Sequence, residues 1–300
     1  MGSSPAMKVF VLEVRNMAVR PVYEVKESVP FFSCANVEFE WNGGFAKSQK
    51  QKNIRALHDN YQRRHDNNRV LEISSKSMQE GGEALSAFFL PKYVPTLEKS
   101  VPVECVFQSG KTFLNGGPYK DLLNVSPREA KKDERLKSSG KLTCFMFEDE
   151  VYPLIPKTIF YDYIYINALL ENEELAKIAL QYDAFTDIEF NPEKSINCQA
   201  KACATFVALS RLGLVNRVRE FDSFLALYGM EKKIPEKEKN CCGAEKEEIK
   251  VKPGYMICHK KYGKGVVLKI DGTVLIVSFP EVGEKKLGLN WCVLNCEIKK

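Results

Sequence analysis

The stretch "VPVECVFQSGKTF" (residues 101–113) sets a carboxylate inside an apolar run. Val101, Val103, Val106 and Phe107 direct this segment to a core, and Glu104 goes with them. On a helix, Glu104, Gln108 and Lys111 share one face. A second polar set lies in "FTDIEFNPEKSINCQAK" (185–201), which gathers Asp187, Glu189, Asn191, Asn197, Gln199 and Lys201 in a loop leading into a helix. A third, "LEISSKSM" (71–78), is a strand that ends in hydroxyls. A carboxylate against an apolar wall keeps its proton to higher pH, which suits a general acid or base. Two such groups across a bond cleave a glycosidic linkage through an oxocarbenium-like state. The helix start after Ser195 offers N–H groups to a phosphate. The same residues also fit plain structural duty, Glu104 with Lys111 as a partly buried ion pair and Asp187 as a cap. Cys105 adjoins Glu104, but no histidine lies near it in the sequence, and the thiol reads as a small core residue.

These residues sit in a chain of 300, long enough for one large domain and a smaller one. Ten cysteines occur without a Cys-x-x-Cys pair, and His58, His65 and His259 are the three histidines. That pattern argues against a structural zinc site and predicts no metal and no cofactor. Mostly buried, reduced thiols and no apolar run near the ~20 residues of a membrane span predict a cytoplasmic protein without membrane contact. The net charge is +5 and is unevenly placed. Residues 251–300 carry nine Lys against four acidic residues, and 47–69 carry seven Lys or Arg against two Asp. Two basic zones on a balanced body suit an anionic partner such as nucleic acid, although such runs are also ordinary solvated faces.

The elements that must position the polar sets follow from periodicity. Strands are predicted at "MKVFVLEV", "VYEVKES", "VEFEWNGGF" and "RVLEISS" (69–75). Ser48 is predicted to cap a helix burying Ile54, Leu57 and Tyr61, with its two histidines, His58 and His65, on the surface. From about residue 98 the reading is mainly helical. One helix spans "VECVFQSGKTF" up to "NGGP", and another starts at Ser126-Pro127 and runs to Gly140. Three more are "PKTIFYDYIYINALL", "NEELAKIALQY" and "NCQAKACATFVALSRLGL". Residues 231–250, rich in charge, read as a linker. The alternation and turns of 251–300 read as a small β-barrel of about five strands. The fold class is therefore α+β: a mainly helical domain over 1–230 with a few N-terminal strands, a linker, and a small barrel.

The order of these segments resembles the NADAR family, over residues 69–213. "LSAFF" keeps Leu85, Ser86 and Phe88 of its "LSNF"-like segment, with Ala87 where Asn is usual. "VECVFQSGKTF" keeps Glu104, Phe107, Gln108, Lys111 and Phe113, and "SPREA" keeps Ser126, Pro127 and Ala130. "TDIEFN" keeps Asp187, with Phe190 in place of Trp. More narrowly, the chain is similar to the branch paired with DarT-type guanosine ADP-ribosyltransferase toxins. The resemblance implies an N-glycosyl hydrolase that removes ADP-ribose from guanine bases of DNA or RNA as an antitoxin. It implies Glu104 as the principal acid, base or water activator, and Asp187 as the second carboxylate. Ser86, Phe88, Gln108, Lys111, Phe190, Asn191 and Asn197 would hold the ligand. The partners implied are ADP-ribosylated nucleic acid, the ADP-ribose product and a cognate toxin.

Three other readings stay open. An ADP-ribosyltransferase would use Arg20, Ser74–Ser75–Ser77 and Asp187–Glu189; a non-enzymatic reader would bind ADP-ribose without turnover; a riboflavin-pathway N-glycosidase would share the chemistry on a smaller substrate. The C-terminal segment resembles the Tudor/SH3-like module of bacterial repair helicases in Cys258-His259 and Tyr262–Val266, which implies docking on a polymerase or on nucleic acid.

Overall fold

The computed structural model describes residues 16–192, 198–231, 251–259, 262–271, 274–288 and 297–299. The strand predicted at the N-terminus, the linker beyond Glu231, and Asn197 lie outside the described residues. The chain divides into two compact units, Met1–Glu238 and Lys239–Lys300. Among the described residues no helix is long and apolar enough to cross a membrane.

The first unit runs β1 (Met17–Val25), β2 (Phe32–Glu40), α1 (Lys47–Gln62), β3 (Val70–Glu72), β4 (Pro91–Val94), β5 (Lys99–Pro102), α2 (Val103–Ser109), β6 (Lys111–Phe113), α3 (Pro127–Lys132), α4 (Arg135–Ser138), β7 (Leu142–Phe147), β8 (Glu150–Tyr152), α5 (Ile159–Glu171), α6 (Glu173–Ala179), β9 (Ala184–Thr186), α7 (Gln199–Arg211) and α8 (Phe221–Ala226). Its central sheet has the order β2-β1-β9-β3. β1 pairs antiparallel with β2 and with β9, whereas β3 and β9 are parallel. Period-two alternation gives the sheet two apolar faces. Val22, Val70 and Ala184 meet Ile54, Leu57 and Tyr61 of α1 in one core. Leu71 and Phe185 belong to the larger core with α2, α5 and α7. β3 and β9, covered on both faces, are therefore buried at every position. Ala200, Ala202, Cys203, Ala204 and Ala208 leave α7 short side chains, so it buries nearly its whole circumference.

The unit is a mixed α+β structure, and the mainly helical reading after residue 98 is corrected. "LTCFMF" and "EVY" form β7 and β8, which join β6 in a three-stranded sheet, and β4 pairs with β5. The helix expected to run to "NGGP" stops at Ser109. A Cβ on Gly110 would stand 2.6 Å from the Met146 carbonyl oxygen, and Met146 N–H donates to Gly110 O at 2.7 Å. This close approach turns the chain into β6, so Lys111 sits on a strand. Ser126 caps α3 as expected, in a capping box with Glu129. The single helix predicted there is two, α3 and α4, broken at Asp133, whose side chain accepts from Arg135 N–H instead. Ser48 does not cap α1, which starts after Ala46.

The second unit contains β10 (Met256–His259), β11 (Gly263–Asp271), β12 (Val274–Phe279), β13 (Gly283–Gly288) and β14 (Glu297–Lys299). They form an antiparallel sheet, β13-β12-β11-β10-β14, over a core of Ile257, Val267, Leu275, Val277 and Phe279. The predicted barrel is an open sheet here: among the described residues no pairing joins β13 to β14.

Candidate active site

A cavity of about 610 Å³ opens where the C-terminal ends of β3 and β9 meet α2 and the start of α7, within the size range of small-molecule sites. Glu104, Gln108 and Lys111 line one side. α2 follows Pro102 directly, and Glu104 N–H donates to Ala87 O at 2.9 Å. That bond ties the helix start to the "LSAFF" segment. Glu104 is only 6% exposed. Its Oε1 accepts from Gln108 Nε2 at 2.9 Å and stands 3.8 Å from Lys131 Nζ. Lys111 Nζ donates to Gln108 Oε1 at 2.7 Å, which turns the amide NH₂ toward Glu104, and lies 4.7 Å from the Phe107 ring centre. Burial pushes the Lys111 ammonium down to about 8; Glu104 opposes this and Lys131 adds to it. The expected Glu104–Lys111 ion pair is thus relayed through Gln108, and the cation at Glu104 is Lys131.

Asp187 follows β9 and also lines the cavity. Its Oδ1 accepts from Glu189 N–H and its Oδ2 from Gln199 Nε2, both at 3.0 Å. Gln199 also donates to Ile73 O at 2.6 Å and accepts from Ala87 N–H at 2.7 Å. One side chain thereby holds three segments around the cavity. Burial first, and the neighbouring Glu72 second, push the Asp187 carboxyl well above the usual carboxylate range. Glu72 is fully buried, and its carboxylate accepts from Thr186 Oγ1 at 2.6 Å and Ile188 N–H at 2.9 Å. Burial raises it too, against these bonds. Thr186 Oγ1 in turn lies 2.8 Å from His58 Nε2, and burial lowers that imidazole to about 4. His58 is therefore a neutral inner group of the α1 face, not the surface residue expected.

Ser86, Phe88, Phe190 and Asn191 line the same cavity. Ser86 Oγ is buried and has no hydrogen-bond partner among the described residues. Lys131 Nζ lies 5.3 Å from the Phe88 ring centre. Lys201 is placed elsewhere, in a buried pair with Asp162 at 2.6 Å. Cys105 is buried, donates to Val125 O, and is raised to about 11 by burial and Glu104, so it is no thiolate nucleophile. Of the set expected for a transferase, Ser74, Ser75, Asp187 and Glu189 line the cavity. Arg20 does not; its guanidinium stands 5.1 Å over the Trp41 ring. Among the described residues no group of three or more His, Cys, Asp or Glu is placed to hold a metal ion.

Sequence reasoning passed over Tyr161, Lys131, Lys137 and Glu72. Glu72 had a visible signal, a carboxylate in the apolar run "RVLEI", the same one that singled out Glu104. The lysines had none, because surface helices ordinarily carry such residues.

A family model described as DarT1-associated NADAR antitoxin matches residues 18–239. A comparison with curated proteins finds no match.

Proposed function

This chain belongs to the DarT1-associated NADAR antitoxin family, and from that premise we propose that it hydrolyses the N-glycosidic bond joining ADP-ribose to guanine in nucleic acid, undoing the product of a cognate toxin. The observation that carries this reading is the meeting of Glu104 and Asp187 in one cavity, with the cation Lys131 at the first and the carboxyl group of Glu72 behind the second. Asp187, held protonated by burial and by Glu72, gives its proton to the leaving guanine nitrogen, which takes the electron pair of the C–N bond. The anomeric carbon becomes oxocarbenium-like and faces the Glu104 carboxylate. Glu104 takes a proton from water as the water oxygen bonds that carbon, so one water is consumed, ADP-ribose is released and the strand keeps its unmodified guanine. Lys111 supplies positive charge to the diphosphate, Ser86 Oγ a hydrogen bond, and Phe190 a face for stacking.

The test is a gel assay on a guanine-ADP-ribosylated oligonucleotide with the unmodified protein and Glu104→Gln. Release of ADP-ribose by the unmodified protein alone is expected. Equal release by a folded Glu104→Gln variant, or none by either, overturns the reading. Binding of ADP-ribose without turnover by the unmodified protein would make the chain a reader instead.

A further inference from the structure

We infer that α1 and the turn before it form a docking surface for single-stranded nucleic acid, with Phe45 as its stacking platform. The inference rests on the proposed function only for what enters the cavity.

Phe45 is wholly exposed. A lone exposed apolar residue is unremarkable in itself. This one is held out on an ordered turn. Asn42 N–H donates to Asn53 Oδ1 at 2.7 Å, and Asn53 Nδ2 donates back to Asn42 O at 3.0 Å. Asn53 is buried in α1. Gly44 takes φ +113°, a conformation that favours glycine, and so carries the chain outward just before Phe45.

The surroundings are basic. Lys47, Lys52 and Arg55 are exposed along α1, Lys50 Nζ lies 5.1 Å over the Trp41 ring, and the first turn of the helix carries no acidic residue. Two contacts set this helix against the cavity wall. Lys50 Nζ meets the cavity residue Glu189 at 3.3 Å. Arg55 Nη2 reaches Met78 Sδ at 3.3 Å, in the loop that continues from the cavity residues Ser74 and Ser75. Lys131 and Lys137, both exposed, line the cavity as well. Cations along α1 attract a phosphate backbone, and an aromatic face next to them is the recurring arrangement of sequence-tolerant single-strand binding. It also matches chemistry on a base, which must leave the stack to be reached.

The test is fluorescence anisotropy of the full chain with a labelled, unmodified single-stranded oligonucleotide. Phe45→Ala is expected to weaken binding about 5- to 100-fold, the worth of one stacked base, and Phe45→Trp to retain it. Lys52→Ala with Arg55→Ala is expected to reduce the slope of log affinity against log salt by about 1.4. A labelled duplex is expected to show no Phe45 effect. Unchanged strand binding by Phe45→Ala overturns the inference, as does a failure of the unmodified protein to bind the strand. Loss of affinity in the lysine and arginine variant alone also overturns it, and would fit an acidic protein partner instead. The readout needs no hydrolysis, so failure of the hydrolase reading leaves it standing. Turnover of ADP-ribosylated guanosine as a free nucleoside is expected to be the same in Phe45→Ala.

Discussion

Glu104 and Asp187 share a cavity but have neighbours of opposite charge. Glu104 opens a short, wholly buried helix, and its Oε1 meets Gln108 Nε2 and, farther off, Lys131 Nζ. Asp187 follows a strand buried on both faces, accepts from Glu189 N–H and Gln199 Nε2, and has another carboxylate, Glu72, behind it. At Asp187 burial and the like charge favour the acid and outweigh its donors. In the proposed reaction, two residues of one chemical type serve as proton acceptor and proton donor according to their neighbours, Lys131 at Glu104 and Glu72 at Asp187.

The sharpest way to break that division is to neutralise each member. Glu104→Gln is expected to lower turnover about 10³- to 10⁴-fold, at the upper end of what general acid–base groups supply, with ADP-ribose affinity kept. Asp187→Asn is expected to lower it about 10²- to 10³-fold and to abolish the loss of activity at high pH, since the acid that titrates is gone. Single-turnover rates between pH 5 and 9 check both. The variants also differ in stability. The Asp187 carboxyl titrates higher in the folded chain than in the unfolded one, where its pKa is about 3.9. From near pH 4 upward the folded chain therefore holds a proton that the unfolded chain releases, and stability falls as pH rises toward the folded value. Asp187→Asn removes that loss. Its melting temperature is expected to rise relative to the unmodified protein as pH increases from 5 to 8. A constant difference across that range would refute a raised Asp187.

How much of this was legible in the sequence differs between the two sides. The Glu104 side was readable because its signal is local: a charge in an apolar run, with Gln108 one helical turn away. Even there, spacing put Lys111 on the same helix, when a tight approach at Gly110 sends it onto β6. The residue reaches Gln108 all the same, because its long side chain spans the break. The Asp187 side was only half readable. Its neighbours Glu72, Thr186 and His58 are far apart in sequence and meet only because β3 and β9 pair in parallel with Glu72 opposite Thr186. No local pattern encodes a parallel pairing between strands separated by more than a hundred residues. Lys201 shows the converse. It lies two residues past Gln199 in the polar set, but helical geometry turns it away from Gln199 and into the pair with Asp162.

Lys111→Met tests the relay that serves Glu104. The ammonium, lowered to about 8, is mostly charged at pH 7 and largely neutral by pH 9. The unmodified protein is therefore expected to lose ADP-ribose affinity over that interval. Lys111→Met should bind about tenfold or more weakly at pH 7, the worth of a charged hydrogen bond, and show no such pH dependence. Calorimetric titration at pH 7 and 9 separates the two. A parallel fall in both proteins would remove Lys111 from phosphate binding.

The smallest effect is the most informative about the Asp187 side. Glu72→Gln keeps the shape of the side chain and a carbonyl oxygen to accept from Ile188 N–H, but it removes the like charge behind Asp187. Asp187 then gives up its proton more readily, so the high-pH limb of the turnover profile is expected to move to lower pH. At pH 8 turnover falls about two- to fivefold, well short of losing the acid itself, and at pH 6 it is nearly unchanged. A residue that merely braces the loop would lower turnover equally at every pH and leave the limb in place. On the proposed mechanism Glu72 acts through Asp187, and its influence is read from where the limb lies. A limb that stays put in a folded Glu72→Gln protein would mean that burial alone keeps Asp187 protonated.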